Sequence, residues 1–100
     1  MKRYPKQLLV IITEAVLEKR LIADAMRLGA QGYTVHDVRG GNQHSSRDDT
    51  WEADRTIKME IVCSEAAADA IGEHVLRTYA DNYGLTMYFC GVEVLRPMKY

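Results

Sequence analysis

One stretch of the chain joins a predicted strand to a glycine pair: Gly32-Tyr33-Thr34-Val35-His36-Asp37-Val38-Arg39-Gly40-Gly41. Gly32 opens the predicted strand, which covers residues 33–38 and runs directly into the glycines. A glycine pair lets the backbone approach a ligand closely, and arginine grips phosphate through paired hydrogen bonds. We therefore expect a site for a phosphorylated ligand at this strand end. The alternative is that Gly40 and Gly41 form only a turn.

The segment that follows, residues 39–56, contains no periodic apolar pattern, and we call it the 39–56 loop. Its arginines Arg39, Arg47 and Arg55 stand among several acidic residues. They represent either a solvated mixture of charges or contacts to phosphate. A run of this length without regular structure in so small a chain is usually functional, so we expect this loop to respond to the ligand.

Regular elements are predicted on both sides of the strand at residues 33–38. Residues 7–13 predict a first strand that is apolar on both faces. A helix should follow, with Thr13 as its N-cap and Gly29 at its end. Its apolar residues recur at helical spacing: Leu17, Leu21, Ile22, Ala25 and Leu28.

Beyond the 39–56 loop, a third strand is predicted from Ile57 to Val62. A second helix should begin at Ser64 and Glu65, and a last strand should cover residues 85–95. The residues of the second helix that we expect to face inward are Ile71, Val75, Leu76 and Tyr79.

The predicted order is strand–helix–strand, loop, strand–helix–strand, which is the α+β, ferredoxin-like βαββαβ plan. Both helices must then cover one face of the sheet, although the first and last strands carry apolar residues on both sides. A monomer would expose that apolar surface to water. We therefore expect the open faces of several copies to pack together.

The composition of the chain limits its class. A chain of 100 residues, 47% of them apolar, is long enough for one domain spanning 1–100. A net charge of −1 gives no general attraction to nucleic acid. The apolar run after the basic N-terminus, Leu8 to Ile12, is too short for a signal peptide or a membrane span, so we expect a cytoplasmic protein. Cys63 and Cys90 are expected to be buried thiols rather than a disulfide framework.

Catalytic and metal-binding motifs are not evident in the sequence. Phosphate-loop, dinucleotide-binding, zinc-ligand and nucleophile-elbow patterns are absent. His36, His44 and His74 fall in different predicted elements, which favours ordinary polar residues over ligands. Lys58 and Glu60 share one strand face, where they either form a solvated pair or flank the ligand. These patterns favour a protein that is not an enzyme.

The sequence from residue 32 to residue 40 resembles the strand-into-T-loop signature of the PII signalling family, and Lys58-Met59-Glu60-Ile61-Val62 resembles that family's third strand. The similarity extends from about Leu8 to Arg96. The lysine-bearing B-loop of classical PII proteins is missing from residues 79–85. Ala80-Asp81-Asn82-Tyr83-Gly84 and Glu93-Val94-Leu95 are similar to the PII-like branch that contains SbtB and the carboxysome-associated CPII, and CPII fits best.

This resemblance implies a homotrimer that holds an adenine nucleotide in the clefts between subunits. It places Thr34, Gly40 and Gly41 at the base and ribose, and Val62 at the adenine through its backbone. It places Arg96 at a phosphate across the interface. Arg39 and Arg47 are further candidates for phosphate contacts, and Lys58 and Glu60 for flanking the ligand.

The missing lysine favours AMP or ADP as the ligand, with ATP and cyclic AMP as further candidates. Bicarbonate sensing is also implied, with Tyr83 to Tyr88 and the arginines as a candidate anion pocket. Tyr88 is a further candidate binding residue. The implied function is regulation of inorganic-carbon uptake, through a bicarbonate transporter or a carboxysome-related partner.

Two other classes remain open from the sequence. A small ferredoxin-like enzyme would need a catalytic group in a deep apolar pocket, and His36 is its candidate. A trimeric metal-binding protein of the CutA type would need Cys63, Cys90 or His44 to converge.

Overall fold

The computed structural model describes residues 1–40 and 55–100, which form two helices packed on one face of a four-stranded antiparallel sheet. The strands in chain order are β1 (Tyr4–Glu14), β2 (Thr34–Val38), β3 (Thr56–Cys63) and β4 (Leu85–Val94), and their order across the sheet is β2-β3-β1-β4. This arrangement confirms the predicted ferredoxin-like α+β plan. The helices are α1 (Glu18–Arg27), between β1 and β2, and α2 (Glu65–Tyr79), between β3 and β4, with short 3₁₀ turns at Ala15–Leu17 and Pro97–Lys99.

The helix ends follow local sequence signals in two of the three predicted places. Ser64 caps α2, since its hydroxyl accepts a hydrogen bond of 3.1 Å from the backbone N–H of Ala67. Gly29 follows α1 with a φ of 117°, a conformation that only glycine adopts readily. The expected cap at Thr13 is wrong, because β1 continues through Thr13 to Glu14 and a 3₁₀ turn precedes α1.

The core lies between the helices and the odd-numbered face of the sheet, which we call the helix face. Because strand side chains alternate, the odd-numbered residues of β3 and of the second half of β1 point to the helices and are buried. The largest fully buried side chains are Leu9, Ile11, Leu17, Leu21, Ile57, Met59, Ile61, Ile71, Val75 and Cys63.

Gly72 of α2 is buried against β4. A Cβ at this position would lie 2.9 Å from Cζ of Phe89, so the missing side chain is what lets the aromatic ring lie on the helix. A glycine in a helix interior destabilises the helix by about 1 kcal/mol relative to alanine, and the close packing of Phe89 on Gly72 offsets this loss.

The two cysteines lie on opposite faces of the sheet. Cys63 is buried under the helices, as expected, and burial raises the pKa of its thiol. Cys90 is exposed on β4, so the expectation of two buried thiols is wrong for this residue. The reason is that Cys90 belongs to the even-numbered face, which no helix covers.

Leu76 corrects the expected inward face of α2. Ile71, Val75 and Tyr79 are buried, whereas Leu76 is 58% exposed.

We expect Ile71→Ala to lower the free energy of unfolding by about 2–5 kcal/mol, because it leaves a cavity in the core. The matched change Leu76→Ala should alter it by less than about 1 kcal/mol. Chemical denaturation of both variants measures the difference, and equal losses would contradict this packing.

Candidate functional site

The even-numbered face of the sheet, which we call the open face, carries aligned rows of side chains. One row crosses all four strands, because Thr34 is opposite Glu60, Glu60 is opposite Val10, and Val10 is opposite Tyr88. The neighbouring row contains His36, Lys58, Ile12 and Thr86. The half of this face on β2 and β3 is polar, and the half on β1 and β4 is largely apolar.

Glu60 lies between two cationic partners on the polar half. Its Oε1 is 3.2 Å from Nε2 of His36, and its Oε2 is 3.7 Å from Nζ of Lys58. The side chains of Lys58 and Glu60 are each 32% exposed, and that of His36 is 47% exposed. Thr34, Lys58, Glu60 and Val62 thus share the open face of β2 and β3. Their roles in binding stay predictions.

The 39–56 loop leaves the sheet where β2 ends and β3 begins. Arg39 and Gly40 directly follow β2, at the opposite end of that strand from Thr34. Where the loop rejoins the sheet, Nη1 of Arg55 lies 3.7 Å from Oδ1 of Asp37. The backbone carbonyl of Arg55 accepts a 2.9 Å hydrogen bond from the N–H of Ala15. Gly41 and Arg47, two of the predicted contact residues, lie outside the described residues.

The turn between α2 and β4 is fastened to the same end of the sheet. The Thr13 hydroxyl donates a 2.6 Å hydrogen bond to the carbonyl of Gly84, and the N–H of Gly84 donates one of 2.8 Å to a carboxylate oxygen of Glu14. Thr13 therefore anchors this turn instead of capping α1. These contacts bring the base of the 39–56 loop, the end of β1 and the α2–β4 turn into one connected region.

A partly buried polar cluster joins α1 to the end of α2, next to that turn. The hydroxyl of Tyr79 donates a 2.5 Å hydrogen bond to Oδ2 of Asp24, and Nε2 of His74 lies 3.1 Å from the same oxygen. Burial, and then the hydrogen bond to the Asp24 carboxylate, raises the pKa of Tyr79 to about 12. The backbone N–H of Tyr83 in turn donates to the carbonyl of Tyr79. Sequence reasoning missed this cluster, because its members are far apart in the chain.

Arg96 lies at the end of the sheet opposite to Arg39, and on the β4 edge instead of the β2 edge. It follows β4, whose last residue Val94 pairs with Tyr4 at the start of β1, whereas Arg39 follows β2 at the end where β1 finishes. β1 has 11 residues, so the two ends of the sheet are roughly 30 Å apart. Arg39 and Arg96 of one protomer therefore cannot hold one nucleotide, and Tyr88 is two strands away from Glu60.

The two alternative classes find little support in this geometry. His36 lies half exposed on the open face beside Glu60, not in a deep apolar pocket. Cys63 and Cys90 point to opposite faces and do not converge, while His44 lies outside the described residues. Within residues 1–40 and 55–100, no three His, Cys, Asp or Glu side chains are grouped as metal ligands.

Comparison with known proteins adds independent findings. The family model of nitrogen regulatory protein P-II matches residues 6–99. A protein from Thermus thermophilus described as PII-like is 35% identical, with a TM-score of 0.86, over 100% of this chain and 99% of its own. CPII from Thiomonas intermedia, bound to ADP and bicarbonate, is 22% identical, with a TM-score of 0.85, over 98% of this chain and 96% of its own.

The similarity to CPII shows a shared fold, and the family match covers nearly the whole chain. In the part of the chain that the structure describes, neither helix has the length and apolar character that a membrane span requires. The match over residues 6–99, together with the ferredoxin-like sheet, shows that the chain belongs to the nitrogen regulatory P-II family.

Proposed function

We propose that this chain is a trimeric regulatory protein that senses adenine nucleotides, with each nucleotide held at the seam between two protomers. The observation that carries the proposal is the separation of the candidate contact residues. Arg39 and Gly40 lie at one end and edge of the sheet, and Arg96 lies at the opposite end and edge. Only two protomers placed side by side bring both groups to one ligand.

The open face supplies the driving force for assembly in this proposal. Tyr88 is 43% exposed and Cys90 is exposed in the single chain, and Leu8, Ile12, Val62 and Val92 are only partly covered. Burying apolar surface of this kind contributes about 25 cal/mol per Å². Packing three open faces together removes this surface from water.

The polar half of the open face suits the nucleotide. In the proposed site Thr34 contacts the ribose or base, and the backbone of Val62 contacts the adenine. Lys58 and Arg39 supply positive charge for phosphate from one protomer, and Arg96 supplies it from the neighbour. Gly41 and Arg47, which lie outside the described residues, and Gly40 complete the contacts that the family resemblance implies.

ADP and AMP are the preferred ligands in this proposal. CPII, which shares the fold, has been solved with ADP and bicarbonate and with ADP, AMP and bicarbonate. The turn that joins α2 to β4 carries no lysine here, and Glu14 places a carboxylate on it, which disfavours additional phosphate charge. Bicarbonate is a second proposed ligand, with Tyr88 as its candidate contact.

The output of the site is a change in the 39–56 loop, whose two ends adjoin the proposed ligand. Phosphate charge favours one conformation of the arginines at the loop ends, so that binding shifts the population of states. We propose that the loop then contacts a bicarbonate transporter or a carboxysome-related protein, and so regulates inorganic-carbon uptake. A cytoplasmic location and the absence of enzymatic activity are parts of the same proposal.

Isothermal titration calorimetry with AMP, ADP, ATP, cyclic AMP and, as a control for the base, GDP tests this function. We expect micromolar affinity for AMP or ADP, weaker binding of ATP and no comparable binding of GDP. Failure of every adenine nucleotide to bind would remove the proposal. Repeating the ADP titration in bicarbonate tests the second ligand, and an unchanged affinity would remove bicarbonate while leaving the nucleotide site in place.

A further inference from the structure

His36 was not among the predicted binding residues, yet it lies within the polar half of the open face. Its ring lies directly across from Lys58 in the β2–β3 pairing, and diagonally from Glu60, whose Oε1 is 3.2 Å from Nε2. The same carboxylate has its other oxygen 3.7 Å from Nζ of Lys58. One negative charge is therefore shared between two groups that can be positive.

The net charge of this cluster depends on His36. With a neutral imidazole, Lys58 and Glu60 compensate each other and the cluster has no net charge. With a protonated imidazole, one carboxylate faces two cations and the cluster carries a charge of about +1. Histidine is the side chain that ordinarily makes this change between pH 5 and pH 8.

The surroundings leave few other groups to offset that change. On β3 the charged residues of the open face are Lys58 and Glu60 themselves. On β1 the facing residues, Val10 and Ile12, are apolar, and the next ionisable group is Glu14 at the strand end. On β4 the ionisable groups of the open face are Tyr88 and Cys90. Asp37 is next to His36 on β2 and is paired with Arg55. Arg39 directly follows the end of β2.

We propose that His36 is an anion-binding residue of the open face, through which nucleotide affinity is coupled to pH. This inference rests on the proposed function, because it requires that the nucleotide phosphate reach the polar half of the open face. Protonation of His36 then adds a positive charge beside the phosphate, so as the pH falls the affinity for AMP or ADP rises relative to that of a variant with a neutral side chain at position 36. A neutral imidazole does not make this contribution.

The test is titration of the full chain with ADP at several pH values from 5.5 to 8, for the wild type and for His36→Gln. The phosphate of the ligand titrates in the same range, but equally for both proteins, so the ratio of their affinities isolates His36. We expect this ratio to change by roughly tenfold in favour of the wild type on going from pH 8 to pH 5.5. Light scattering checks that each variant keeps its assembly state.

Two further variants separate charge from structure. His36→Lys carries its charge throughout the range, so the ratio of its ADP affinity to that of His36→Gln should stay the same from pH 5.5 to pH 8. His74→Gln changes a histidine on the helix face and should follow the wild-type pH profile. If the ratio of wild-type affinity to His36→Gln affinity is the same at every pH, this inference is overturned, but the proposed function is not. A wild type that binds no nucleotide at any pH would overturn the proposed function as well.

Discussion

Replacing Cys90 with glutamate is expected to convert the proposed trimer into monomers. Cys90 is exposed on β4 in the single chain, so a glutamate there costs the protomer itself little. When three open faces pack together, the same carboxylate loses its water without gaining a partner, which costs several kcal/mol per site. Sedimentation or light scattering at micromolar concentration should therefore show a species of one third of the wild-type mass.

The matched control for this change is Val16→Glu. Val16 is 63% exposed in the turn before α1, and it does not belong to the sheet face that is proposed to be buried. This variant should remain trimeric and keep the circular dichroism spectrum of the wild type. A wild type that is already monomeric, or a Cys90→Glu variant that stays trimeric, would contradict the proposed assembly through the open face.

Replacing either Arg39 or Arg96 with alanine is expected to weaken the binding of ADP by about 10- to 100-fold. A hydrogen bond between charged partners contributes about 1.5–3 kcal/mol, and each change removes such a contact to phosphate. Both residues are exposed beyond the ends of their strands, so neither substitution should disturb the fold. Calorimetry with ADP measures the loss.

Arg77→Ala supplies the control for the loss of one positive charge. Arg77 is exposed on α2, on the helix side of the sheet, and its removal should leave ADP affinity within about twofold of the wild type. An Arg39→Ala or Arg96→Ala variant with wild-type affinity would remove that arginine from the proposed site.

The sequence was informative wherever local chemistry determines structure. Alternation from Ile57 to Val62 predicted β3, and the pair of serine and glutamate at residues 64 and 65 predicted the start of α2. These signals depend on residues that are neighbours in the chain. The order of elements then left the ferredoxin-like plan as the natural arrangement, because both helices must cover one face.

The features that could not be predicted from the sequence depend on contacts between segments that are distant in the chain. Thr13 has a hydroxyl suited to a helix cap, but the carbonyl of Gly84 is its actual partner. Leu76 has the spacing of an inward residue, but α2 lies close to the sheet on another side, where Gly72 meets Phe89. The hydrogen bond between Asp24 and Tyr79 joins residues 55 positions apart, and no local pattern announces it.

The candidate site was partly predictable for the same reason. Register between β2 and β3 brings Thr34, Lys58 and Glu60 onto one face, which alternation indicated in part. The position of His36 beside Glu60 became visible only once the register was known. The separation of Arg39 from Arg96 also became clear only from the sheet order, which places the strands that precede them, β2 and β4, at opposite edges.

The most direct test of a nucleotide site shared between protomers is a mixing experiment with two variants that each bind ADP weakly. Arg39→Ala and Arg96→Ala chains are unfolded together, refolded as mixed trimers and titrated with ADP. In a mixed trimer, one seam joins an intact Arg39 from one chain to an intact Arg96 from its neighbour. We predict that the mixture recovers sites of wild-type affinity that neither variant has alone. A mixture that binds ADP no better than its two components, although mixed trimers are present, would contradict the shared site.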